Sequence, residues 1–100
     1  MIIVAVEVKV ESGSAAKAKD AIAKMEAATR QEAGCITYAF SVDVSDDTMI
    51  RVIERWKSVD DIKSHMASPH MAEFNQAMAA IRPKGLDVKA YEIAREVALG

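Results

Sequence analysis

Long apolar runs, cysteine pairs, glycine-rich loops and an excess of positive charge are all missing from this chain. Its longest apolar stretch, residues 1–6, falls far short of the roughly 20 residues a membrane-spanning helix needs. That stretch also lacks the basic lead-in and the length of a secretory leader, so a cytoplasmic location is expected. The single cysteine, Cys35, cannot close an intrachain disulfide or build a cysteine-based metal cluster. Four scattered glycines make neither a dinucleotide fingerprint nor a phosphate loop. No low-complexity linker divides the chain, and 100 residues make a single domain, 1–100, with one core. Thirteen Lys and Arg against fifteen Asp and Glu leave a net charge of −2 without a basic stripe. Neither nucleic acid nor an anionic membrane is therefore an expected partner. Only two histidines are present, His65 and His70. Their spacing puts them about 140° apart on a helix that Pro69 would interrupt, so no metal site is expected of the pair. No Ser-His-Asp or Cys-His arrangement is legible either.

What the chain does have is clear periodicity. "IIVAVEVKVE" (2–11) alternates, with Ile2, Val4, Val6, Val8 and Val10 on one face, which predicts a strand. Residues 14–34 carry Ala18, Ala21, Ile22 and Met25 at helical spacing, with Ser14 as the expected N-cap and Gly34 as the stop. "CITYAFSVD" (35–43) alternates again, with Ile36, Tyr38, Phe40 and Val42 on one side. "MIRVIERWK" (49–57) returns after a polar turn, so the two predict a hairpin. Ser58 and Asp61 have capping-box spacing at the head of a further helix. Ser68 as N-cap and Pro69 as first helical residue then restart it. A last strand, 86–94, closes the chain. The order β-α-β-β-α-β is the ferredoxin-like plan, an α+β fold whose four-stranded antiparallel sheet carries its helices on one face.

The other face would hold Ile3, Ala5, Ala39, Met49, Ile53 and Tyr91, mixed with Glu7, Lys9, Arg51 and Arg55. A half-apolar surface of roughly 450 Å², from strand spacing and rise, is at the upper end of what a monomer exposes. A homodimer packed sheet on sheet is the expectation, with the mixed charges pairing across the interface.

Beneath the helices, Met71, Phe74, Met78 and Ile81 form an apolar stripe, and His65, His70 and Asn75 flank the helical surface that must meet the sheet. The facing strands supply Tyr38, Phe40, Glu54 and Trp56. Glu54 is the anomaly, a carboxylate between Val52 and Trp56 on an apolar face. Buried carboxylates need a partner or a proton, so Glu54 points to an ion pair or a cavity. For His65, His70, Asn75, Tyr38 and Glu54 as a set, structural hydrogen bonding and a ligand pocket both fit.

"EAGCITYAF" and "IERWKSVDDIKSHMASPHMAEF" strongly resemble the antibiotic biosynthesis monooxygenase family. The matching positions are Glu32, Gly34, Cys35 and Tyr38, then Glu54 and Trp56, then His65, Ser68, Pro69 and His70. The resemblance implies a dimeric α+β barrel and, for some members, oxidation of phenolic or quinol-type compounds by O₂ without metal or flavin. It implies His65, Glu54 and Tyr38 as catalytic candidates, with Trp56, Phe74, Met71, Phe40, His70 and Asn75 around the substrate and no cofactor. A haem-degrading branch is similar in fold. Its axial His, Trp and Asn positions hold Asn75, His65 and Val6 here, so haem chemistry is not expected. A monooxygenase acting on a small aromatic or quinol-like compound is the leading expectation. An isomerase or processing enzyme for a small carbonyl metabolite, or a non-catalytic ligand-binding or stress-associated dimer module, are the alternatives.

Overall fold

A computed structural model describes all residues, 1–100. Its elements are β1 (Ile2–Lys9), α1 (Ser14–Lys17), α2 (Lys19–Thr29), β2 (Cys35–Asp43), β3 (Asp46–Trp56), α3 (Val59–Met66), α4 (Pro69–Ala80) and β4 (Gly85–Glu92). The strands form one antiparallel sheet in the order β2-β3-β1-β4. This is the ferredoxin-like arrangement. No helix is long and apolar enough to cross a membrane.

The alternation of β1 decides which face is covered. Ile2, Val4 and Val8 lie buried under the helices, while Glu7 and Lys9 are exposed on the far face. Trp56, Met25 and Ile50 are sealed from solvent at the centre of this layer. β4 extends the sheet beyond the helices and is exposed along its whole length.

Several boundaries differ from those the sequence suggests. Ser14 is not the N-cap but lies inside α1; Gly13 takes that place in a left-handed conformation, φ 87°, which glycine adopts without steric cost. The backbone N–H of Gly13 and the hydroxyl of Ser12 both donate to Asp47, tying this turn to β3. The first helix breaks at Ala18 and ends at Thr29, well before Gly34. Gly34 instead allows close approach: a Cβ there would overlap the Asp61 side chain at the head of α3. The polar turn expected over "VSDDT" (44–48) is shorter, because β3 starts at Asp46 and only Val44 and Ser45 turn the hairpin. In β2 a bulge between Cys35 and Thr37 sets Cys35 opposite Trp56 and expels Ile36 to solvent, off the face it was expected to share with Tyr38.

The second helical region breaks where expected. The Ser68 hydroxyl accepts from the Met71 N–H (3.2 Å) and donates to the carbonyl of His65 (2.6 Å), and Pro69 occupies the first turn of α4. One hydroxyl thus closes α3 and opens α4. At the head of α3, Ser58 accepts from the Asp61 N–H, and Asp61 receives the Ser58 hydroxyl in return. Asp is one methylene too short for the full reciprocal box.

Candidate active site

Between the helical layer and the sheet lies a cavity of about 590 Å³, and 15 of its 19 lining residues are hydrophobic. Val4, Val6 and Val8 of β1, Val52 of β3, and Leu86, Val88 and Ala90 of β4 form its floor. Register places these side by side, since Val6 pairs with both Val52 and Val88. Ile62 and Met66 of α3, with Met71, Phe74, Asn75 and Met78 of α4, form the roof. The space exists because the helices end short of β4.

Three ionisable or polar groups enter this apolar wall from one end: Tyr38, Glu54 and His65. Glu54, directly opposite Tyr38 on neighbouring strands, accepts a hydrogen bond from the Trp56 indole N–H at 2.9 Å. Burial raises the Glu54 carboxyl above its ordinary value, against the opposing pull of the indole and of His65. Burial also raises the Tyr38 phenol, and the negative charges of Glu54 and Glu32 push it the same way. Tyr38 is therefore held as a neutral phenol. The His65 ring is clasped by aromatic neighbours, with centroids 4.8 Å from Trp56 and 5.4 Å from Tyr38.

Behind His65 stands a group outside the cavity. Oε2 of Glu32 lies 2.7 Å from Nδ1 of His65 and 2.8 Å from Nε2 of His70. A carboxylate only accepts, so each ring presents an N–H to it. For a neutral His65 this assigns the proton to Nδ1 and leaves Nε2 as an acceptor, a tautomer inferred from the network.

The structure gathers His65, Glu54, Tyr38, Phe40, Met71, Phe74 and Asn75 around one cavity. Trp56, expected as a pocket wall, and His70, expected near the substrate, do not line it. Trp56 is wholly buried behind Glu54. His70 sits by a smaller depression with Met25, Lys24 and Glu73, because the first turn of α4 points it toward α2. The two histidines do converge, contrary to what their spacing suggests, because Glu32 bridges them from a third element. Periodicity could not find Glu32: it lies in the turn between α2 and β2, where no pattern predicts direction. The "EAGC" motif was its only signal.

The model of the antibiotic biosynthesis monooxygenase family matches residues 1–77. The chain belongs to that family. It is 34% identical over 67 residues to the "Probable quinol monooxygenase YgiN" of Escherichia coli K12, covering 59% of this chain and 64% of that protein. It is 30% identical over 66 residues to an uncharacterised protein of Synechocystis, covering 66% and 45%. The matches thus span less than two thirds of the length of these curated relatives. In three dimensions the chain is similar to a "putative antibiotic biosynthesis monooxygenase" from Deinococcus radiodurans, with a TM-score of 0.90 and 25% identity. That superposition covers 100% of this chain and 99% of the other.

Proposed function

We propose that the protein is a monooxygenase that needs no bound cofactor and acts on a small aromatic or quinol-like compound held in the 590 Å³ cavity. The observation that carries this reading is an apolar chamber of ligand size with His65, Tyr38 and Glu54 collected at one end. The quinol class is supported by the name of the Escherichia coli relative. In this reading Nε2 of His65 takes the hydroxyl proton of the substrate, while Glu32 holds the opposite N–H and keeps the ring in the accepting tautomer. Electrons come from the substrate itself. The quinol anion forms a C–O bond with O₂, the O–O bond of the resulting peroxide breaks, one oxygen stays on the product, and the other leaves as water. Apolar walls favour this chemistry by admitting O₂ beside the substrate. Tyr38, as a neutral phenol, can donate to a substrate oxygen, and Asn75 offers a second polar contact.

Oxygen uptake with a panel of hydroquinones tests the assignment. At least one compound is expected to drive uptake, with His65→Ala slowing it by roughly 10²–10⁴-fold, the usual contribution of a positioned base. If no compound consumes O₂ yet one binds the cavity, the protein is a ligand-binding module instead.

The working form in this proposal is a cytoplasmic homodimer. Ile53 and Tyr91 are exposed on the outer sheet face beside Ile3 and Ala5. Two of its charges already pair within the chain, with Arg51 bound to Glu7 (3.0 Å) and also to Asp43 (2.7 Å). That internal neutralisation lowers the cost of covering the face. Light scattering should give twice the 10.9 kDa chain mass at micromolar concentration; a mass of one chain would sink the dimer.

A further inference from the structure

The cluster behind the cavity wall has a second use that the base assignment does not require. Glu32 lies in the turn before β2, His65 in the last turn of α3, and His70 in the first turn of α4. Their three donor atoms all lie within 4.8 Å of one another. The Glu32 side chain is 18% exposed and its ion-pair partners are the two imidazoles, with no Lys or Arg among them. The nearby cations are engaged elsewhere, Lys24 with Glu73 and Arg30 with Glu26.

We propose that Glu32, His65 and His70 form a binding site for a divalent transition-metal ion of the zinc class. Two imidazole nitrogens and one carboxylate oxygen are the donor set that zinc takes in open, three-ligand sites. Mg²⁺ and Ca²⁺ prefer all-oxygen shells and are disfavoured here. Ligands at about 2.0–2.1 Å in a tetrahedron stand about 3.3–3.4 Å apart, so the carboxylate must withdraw by about 0.6 Å, while His70, on the open side, swings until its ring nitrogen reaches that spacing from His65. Glu32 can make that move because it sits in a turn outside any helix. His65 stays fixed between Trp56 and Tyr38, and its Nδ1 already points at the cluster. Each ring must shift its N–H to the other nitrogen for the lone pair to face the metal. His70, 24% exposed, borders the open side where the ion would enter and a water would complete the shell.

Metal binding is measured without substrate, so its test is separate from that of the monooxygenase reading, on which it does not rest. A His65 ring bound through Nδ1 carries its proton on Nε2, so the metal-bound form is one in which His65 does not act as base. The chain has only two histidines, and imidazole NMR signals therefore report the site without ambiguity. Zinc chloride added to the untagged, chelator-treated protein should move both ring systems together, saturating at one equivalent per chain. Glu32→Gln and His70→Ala should each weaken binding at least tenfold in competition with a chromogenic chelator, with the backbone amide spectrum verifying that both variants fold. Rings unmoved by a tenfold excess of zinc, a response from His70 alone, or affinity unchanged in either folded variant would overturn the site.

Discussion

Glu54 shows how a single side chain couples the fold to the cavity. Its carboxyl is raised above the ordinary 4.5 because burial disfavours the charge more than the Trp56 N–H and His65 restore it. The unfolded chain gives up this proton near the ordinary value and the folded chain resists. Stability linked to Glu54 is thus fully present below pH 4.5 and is lost as pH rises toward the folded value. Glu54→Gln keeps an acceptor for the indole and carries no charge. Thermal melts should show the variant no better than wild type at pH 4 and more stable at pH 7, by roughly 4–8 °C for each kcal/mol relieved. An equal difference at both pH values would show that the charge is not the cause. Cys35 provides a second test at this scale. Burial raises its thiol, and Glu32 and Glu54 push it further in the same direction. At neutral pH it should react with iodoacetamide several-fold more slowly than free cysteine.

Among the elements, the join between α3 and α4 is the most economical device. Ser68 satisfies one carbonyl of α3 and one N–H of α4, while Pro69 starts the new helix where a missing N–H costs nothing. Ser68→Ala should cost about 1 kcal/mol in denaturant unfolding, the usual loss for an N-cap. Because the join sets the direction of both histidines, it should also weaken the contacts to Glu32. Gly34→Ala attacks the neighbouring joint, where the added methyl would drive Asp61 from its place against Ser58. A loss of roughly 1–3 kcal/mol is expected, the range for forced overpacking. Retained stability would mean that the head of α3 yields more readily than its capping contacts imply.

Over the whole molecule, the sheet is wider than the helical layer, and the cavity is the consequence. β4 adds Leu86, Val88 and Ala90 to a floor that nothing in the chain covers completely. Val88→Trp should fill this space from an exposed position. It is expected to abolish the proposed quinol-dependent oxygen uptake while leaving the melting temperature within about 5 °C of wild type, since it removes no core contact. The element order, the covered face of β1, the broken helix at Ser68 and Pro69, and the anomaly of Glu54 were all legible in the order of residues. Each follows from local periodicity, capping chemistry or the cost of burying charge. That order alone could not determine that Gly34 guards a close approach, that a bulge expels Ile36, or that Trp56 and His70 stand outside the cavity. Nor could it bring Glu32 between His65 and His70, residues 33 and 38 positions away. Those facts depend on the distances at which separate elements pack, and no local pattern encodes such distances.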